Sequence, residues 1–188
     1  MFTRPDTGAA PVSYPVPTYS AAKGMFEAIV RLKSAFIRPT RVEICAPITY
    51  QKYTTNYRGP LRKSQLIANG NSYQLIATVL VDVCYRIYGT VERLTSPPGD
   101  FNDLHACQDI FWRRLKRGQF YYVPCLGWKE FVPSYVGIFR DVIQPDTTVN
   151  LDIPSMLFTV FDQPANGKRN PCYVQNVQIR NGVLTYAQ

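Results

Sequence analysis

Asp109-Ile110-Phe111-Trp112-Arg113-Arg114-Leu115-Lys116-Arg117-Gly118, followed by Pro124-Cys125-Leu126-Gly127-Trp128-Lys129-Glu130-Phe131, is the part of the sequence that decides how the rest is read. Leu104, Cys107, Ile110, Phe111 and Leu115 recur at helical spacing, and Gly118 stands where a C-terminal cap is expected. Four cations, Arg113, Arg114, Lys116 and Arg117, crowd the last turns. A helix dipole favours cations there, so they read equally as helix stabilisers and as ligands for an anion. The second string is unusual for a generic strand, and Gly127 within it signals a bend or a close approach of two backbones.

Working outward, the N-terminal side holds Phe2-Thr3-Arg4-Pro5, then Val12-Ser13-Tyr14-Pro15-Val16-Pro17-Thr18-Tyr19-Ser20-Ala21-Ala22-Lys23-Gly24, then Glu27-Ala28-Ile29. Together with the Asp-Ile-Phe helix end and the Pro-Cys-Leu-Gly-x-basic-Glu-Phe string, these resemble the fifth CRISPR-associated protein family, type I-C branch. The resemblance spans most of residues 2–140 and returns weakly at Asn181-Gly182-Val183.

The chain has 188 residues, with 21 Lys/Arg against 13 Asp/Glu. That length suits one domain with a sizeable core. No apolar run approaches the roughly 20 residues that span a bilayer, and no basic-then-apolar leader opens the chain. The expected location is the cytoplasm, with no membrane partner. The five cysteines lie far apart and only one histidine is present, so a zinc site of ordinary ligand spacing is not expected. No metal site and no cofactor is assigned. Charge is uneven: the first 70 residues carry ten Lys/Arg against three Asp/Glu, whereas residues 121–188 balance at five of each. An electropositive half beside a neutral one suggests a one-sided surface for a polyanion.

Residues 1–19 are rich in proline and read as an extended loop, with Arg4, Tyr14 and Tyr19 placed either to stack on unpaired bases or to pack the loop onto the body. A first helix begins near Ser20, with Ala22, Met25, Phe26, Ile29 and Val30 as its apolar stripe. Lys23 in its first turn is disfavoured by the dipole and hints at an anionic partner. Gly24 hints at close approach by a backbone or by RNA. Residues 36–50 alternate as a strand in which Pro39 and Pro47 imply an edge or bulges. An excursion at 51–71 carries Lys52, Arg58, Arg62 and Lys63 among tyrosines and is the best polyanion-binding candidate from composition. Tyr73 to Thr90 reads as one long central strand. A second helix follows Pro97-Pro98-Gly99, capped by Asp100 or Asn102. Short strands beyond residue 141 include a hairpin at Asn181-Gly182.

The expected fold is α+β, a ferredoxin-like (RRM-like) βαββαβ core over residues 1–140 with the basic hairpin or loop excursion. A small β-rich appendage follows at 141–188. The resemblance implies a first strand before Phe2, and this chain begins almost on that string. The core is therefore expected to lack its first strand unless the start is truncated.

No phosphate-binding glycine loop, zinc-protease motif or serine-hydrolase elbow is present. A metal-independent ribonuclease needs only a base, an acid and a cation, and His105 is the one histidine available. The resemblance implies pre-crRNA endoribonuclease activity from a tyrosine on the first helix and a Lys-His pair opening the second. Those positions fall on Val30 and on Ala106-Cys107, so the residues are not matched. His105 lies two residues earlier, and the nearest following lysine, Lys116, is about 16 Å along a helix.

The resemblance further implies a Cascade subunit that holds the crRNA 5′ handle and caps the backbone filament. Its partners would be crRNA, the backbone and large subunits and, through the complex, target DNA. The candidate RNA contacts are Arg4, Tyr14, Tyr19, Lys23, Lys52, Arg58, Arg62, Lys63, Arg113, Arg114, Arg117, Trp128 and Lys129, with His105 as the candidate catalyst. Enzymatic processing and a purely architectural role stand as alternatives.

Overall fold

The computed structural model describes residues 1–57, 64–69, 73–94, 102–160 and 170–186. In chain order the elements are α1 (Tyr19–Ile29), β1 (Ala35–Ile44), β2 (Thr49–Tyr57), α2 (Ser64–Ala68), β3 (Tyr73–Val81), β4 (Tyr85–Arg93), α3 (Asp103–Arg117), β5 (Leu151–Thr159), β6 (Cys172–Arg180) and β7 (Val183–Thr185). A five-stranded sheet runs β4-β1-β7-β6-β5 with every pair antiparallel, and β2 and β3 form a separate two-stranded ribbon.

This is an α+β fold with a ferredoxin-like core. α1, β1, β4 and α3 form its αββα centre. Phe26 and Val30 of α1, Cys107, Ile110 and Phe111 of α3, and Ile37, Ile87 and Val91 of the sheet make one apolar layer. No named strand precedes α1 among the described residues; the N-terminal residues contribute only isolated bridges, Thr3 to Ser13 and Val12 to Thr78. The C-terminal region is β-rich as expected, but it is not set apart. β7 pairs with β1, and Ile153, Met156, Ile179 and Leu184 share a core with Val42 and Ile44.

Several local expectations change. α1 is capped by Thr18, whose hydroxyl accepts from the Ala21 N–H at 3.2 Å, two residues before the expected Ser20. Tyr73–Thr90 is two strands. The chain breaks at Asp82, which takes a left-handed φ of 51°, so β3 joins the ribbon while β4 enters the main sheet. The run is apolar on most positions on either side, and Asp82, a residue type that tolerates left-handed backbone, is a local mark of the break. β1 is interior, between β4 and β7, and accommodates Pro39 through a register shift between Pro39 and Arg41. The first part of the 51–71 excursion is β2, paired with β3 from Thr49–Val81 to Tyr57–Tyr73. Asn181 and Gly182 both have positive φ, the requirement of the tight hairpin turn that joins β6 to β7. Pro97-Pro98-Gly99 and Asp100 lie outside the described residues; Asn102 caps α3, its side chain accepting from the His105 N–H at 3.4 Å.

Of the two alternatives for residues 1–19, the packed one holds for 13–19. Tyr14, Val16 and Pro17 are buried and this stretch runs through the core, whereas most of residues 5–10 are exposed. Proline has no N–H to satisfy, which removes half of the polar burden of burying a backbone. Tyrosine hydroxyls from three other elements meet the remaining carbonyls: Tyr186 donates to Pro17 at 2.9 Å, Tyr85 to Pro15 at 3.0 Å and Tyr50 to Ser13 at 3.4 Å. Tyr14 sends its own hydroxyl to the Ser155 carbonyl at 3.1 Å and accepts from the Leu157 N–H at 3.2 Å. Burial holds the phenols of Tyr85, Tyr186, Tyr14 and Tyr50 above the ordinary tyrosine range.

Tyr186→Phe leaves the Pro17 carbonyl buried without a donor and is expected to cost about 1–3 kcal/mol, a fall in Tm of roughly 2–12 °C for a chain of this size. Tyr173→Phe, on an exposed position of β6, is expected to change stability by under about 0.5 kcal/mol. Equal melting of the two variants would refute the role given to Tyr186. The same phenols predict a pH effect. Their folded pKa lies above the unfolded value, so the unfolded chain ionises first. Stability is then full below about pH 10 and falls as pH rises beyond it. Urea midpoints across that range check the sign.

Candidate nucleic-acid interface

α1 and α3 pack against the same sheet face, and their C-terminal ends meet. The last carbonyls of a helix lack intrahelical partners. Those of α1 are closed from the segment after α3: Tyr121 and Tyr122 N–H groups donate to Ala28 at 2.7 and 3.2 Å, and Arg114 Nη1 donates to Ile29 at 2.7 Å. α3 ends as expected, with Gly118 left-handed and its N–H bonded to Arg114 and Leu115 carbonyls. Arg114 is half-buried and gives one of its N–H groups to this cap. Arg113 and Arg117 remain exposed, joined by Lys116.

The same corner holds residues that the sequence pattern does not single out. Arg31 and Lys33 are exposed just beyond α1. Tyr121 and Tyr122 are 56% and 40% exposed and meet edge to face at 5.7 Å; Trp112 on α3 is 43% exposed. Cations around exposed aromatic faces are what a single strand needs, phosphates on the former and bases on the latter. Their signal is present as Tyr121-Tyr122 directly after the basic run, but sequence alone does not bring residues 31 and 33 to that place. Gly24 has open space where a Cβ would stand, so no backbone among the described residues outside its own helix approaches it there; its carbonyl accepts from the Tyr122 hydroxyl at 3.3 Å.

A second group lies at the ribbon. Lys52 is exposed on β2 and Lys129 is exposed in the loop after α3. Trp128 is an anchor: its Nε1 donates to Thr3 Oγ1 at 2.8 Å, and its ring stacks on Phe131, which meets Tyr53. Gly127 is the close approach that its sequence context signalled, since a Cβ there would collide with the Met1 carbonyl. Arg4 is engaged by Asp6 at 2.7 Å and lies over the Tyr14 ring. Lys23 lies 5.3 Å over the Phe36 ring. Tyr14 and Tyr19 are corrected as stacking residues, because they are 2% and 7% exposed and Tyr19 already stacks on Phe158 at 4.2 Å. Arg58, Arg62 and Lys63 lie outside the described residues.

His105 is exposed on the first turn of α3. The Tyr14 hydroxyl is bound to β5, in the other core cluster, and is not placed beside His105. The positions that the resemblance marks as catalytic do converge. Val30 and Cys107 are 3% and 0% exposed and belong to one apolar cluster with Phe26, Ala35 and Ile37. Burial raises the Cys107 thiol. Residues two apart on a helix differ by about 200°, so His105 faces away from Cys107.

The sequence profile described as CRISPR-associated protein (Cas_Cas5) matches residues 1–157. A curated protein of Thermus thermophilus named CRISPR pre-crRNA endoribonuclease Cas5d is 33% identical over 158 residues, covering 84% of this chain and 67% of that one. Among solved structures, a CRISPR-associated protein superposes with a TM-score of 0.68 at 19% identity, covering 95% of this chain and 83% of that one. A chain of a CRISPR RNA-guided surveillance complex gives 0.52 at 15% identity, covering 98% and 86%. These two are likenesses of fold.

Replacing Arg113 and Arg117 together by Gln is expected to weaken binding of a single-stranded RNA and to flatten the log Kd against log salt slope by about 1.4, roughly 0.7 for each phosphate no longer neutralised. Arg114→Gln should instead lower stability by about 1.5 kcal/mol through loss of a charged hydrogen bond. An unchanged salt slope in the double variant would remove α3 from the interface.

Proposed function

The chain belongs to the CRISPR-associated Cas5 family, and from that premise we propose that it is an RNA-binding subunit of a type I Cascade effector. It holds the repeat-derived 5′ handle of crRNA and caps the backbone filament without cutting the RNA. The observation that carries this reading is the contrast between two places on one pair of helices. At their C-terminal ends, exposed guanidinium, ammonium and aromatic groups gather. In the layer beneath, where the family resemblance places proton transfer, Val30 and Cys107 close an apolar interior. Proton transfer needs a titratable group within reach of the 2′-OH and the leaving oxygen. Phosphate and base contacts need only the former surface.

In this reading the chain works in the cytoplasm. It meets the backbone and large subunits of Cascade, and target DNA only through the assembled complex. A second reading is favoured by one observation: the Thermus relative is named as a pre-crRNA endoribonuclease. In it, the exposed His105 is a relocated catalyst.

The deciding experiment incubates purified protein with end-labelled repeat RNA in EDTA, beside His105→Ala. The expected result is salt-sensitive binding by both proteins and cleavage by neither. Metal-independent cutting at one position by the wild type, lost in the variant, would establish the second reading instead. Binding that ignores salt would point to an architectural subunit whose basic face meets protein.

A further inference from the structure

Alternation along β1 and β4 sends Ile37, Val42, Ile87 and Val91 toward the helices, and Arg41, Glu43, Arg86 and Tyr88 to the opposite face of the sheet. The 135–143 segment lies across that outer face. Arg86 holds it, Nη2 donating to the carbonyls of Arg140, at 3.0 Å, and Ile143. The Arg41 guanidinium sits 4.0 Å from the centre of the Tyr88 ring, Phe139 meets Tyr88 edge to face at 5.0 Å, and Arg140 sits 4.1 Å from the centre of the Tyr135 ring. The Tyr135 hydroxyl is tied back to the Ile138 carbonyl at 2.8 Å, which fixes that ring.

We infer that this outer face is a second contact surface for an unpaired nucleic-acid strand, separate from the basic corner of α1 and α3. If these stacks served packing alone, they would bury their members. Instead Tyr135 is 51% exposed, Phe139 44% and the Arg41 side chain 47%. Stacking holds each guanidinium flat and pre-orders its N–H edge, the state in which arginine recognises phosphate with least loss of side-chain freedom. Arg86, its side chain 14% exposed, is turned inward onto Glu43 and the carbonyls of Arg140 and Ile143. The guanidinium groups of Arg41 and Arg140 face two carboxylates. One of these, Glu43, is 7% exposed and turned inward onto Arg41, Arg86 and the Tyr88 hydroxyl; the other, Asp141, is exposed. The outward balance is therefore positive and interleaved with aromatic faces, the combination that binds single strands through phosphates and stacked bases. A duplex would leave the ring faces unused.

The inference does not depend on the handle reading, and its test keeps the two apart. Fluorescent oligouridine and oligothymidine strands are titrated into wild type, alone and with saturating repeat RNA. Tyr135→Ala/Arg140→Gln alters two side chains on an irregular surface segment; Phe139→Leu is a milder second variant. The expected result is that wild type binds the probe with repeat RNA in place. The double variant should weaken probe binding about tenfold, the size of one base stack, and reduce the salt slope by about 0.7, with repeat affinity unchanged. Displacement of the probe by repeat RNA would mean one site and overturn the inference. So would probe binding that the variants leave intact. No probe binding, with the same variants impairing association with Cascade subunits, would assign the face to protein. Repeat RNA that fails to bind while the probe still binds would sink the handle reading and leave this face standing.

Discussion

The fold depends on burying a stretch of backbone that has no secondary structure. Residues 12–18 cross the core beneath β5 and the C-terminal strands, and buried carbonyls without donors would each cost about 1–3 kcal/mol. Two devices remove that cost. Prolines 15 and 17 delete two donors outright, and tyrosines 50, 85 and 186 reach in with hydroxyls to the carbonyls of Ser13, Pro15 and Pro17. The tyrosines come from β2, β4 and the end of the described chain, so the contact cannot form until distant parts of the sequence have converged. That makes it a tie between the ribbon, the main sheet and the C-terminal strands at once.

Fixing this segment also fixes the interface. Thr18 emerges from the buried stretch to cap α1, which sets the axis of that helix and the place where its C-terminal carbonyls emerge. Those carbonyls are then closed by Tyr121, Tyr122 and Arg114, so the chain leaving α3 is pinned to the end of α1. Cations on both helix ends are favoured by both dipoles. The concentration of Arg31, Lys33, Arg113, Lys116 and Arg117 in one corner is electrostatically tolerable for that reason, even before an anion arrives.

Much of this was legible in the sequence where local chemistry decides. Gly118 as a cap, Asn181-Gly182 as a hairpin turn, the Gly127 close approach and the Pro39 irregularity each follow from backbone constraints that one residue imposes. What was not legible depends on distance. Tyr14 and Tyr19 beside prolines and Arg4 read equally as an exposed stacking loop and as a packed one, because composition does not reveal which hydroxyl finds a partner 141 residues away. The break at Asp82 had a local mark, a residue that tolerates left-handed backbone, but its consequence for the sheets did not show. A strand apolar on most positions reads the same whether it runs through one sheet or changes from a ribbon to another sheet. At the interface, the basic run was legible, but Arg114 looks like its neighbours until the Ile29 carbonyl is placed against it.

On the proposed reading, the apolar closure at Val30 and Cys107 separates holding from cutting on one scaffold. Binding a strand uses many contacts of modest strength spread over helix ends and loops, so the loss of one group weakens it by a fraction. Proton transfer uses two or three groups at one point, and replacing a proton donor by a methyl group removes the step itself. Val30 and Cys107 fill the apolar layer between α1, α3 and the sheet, with Cys107 fully enclosed. On that reading, cleavage would need more than a histidine on α3. His105 already supplies one, on the solvent side of the helix, and the turn of about 200° to Cys107 cannot be recovered by a rotamer change.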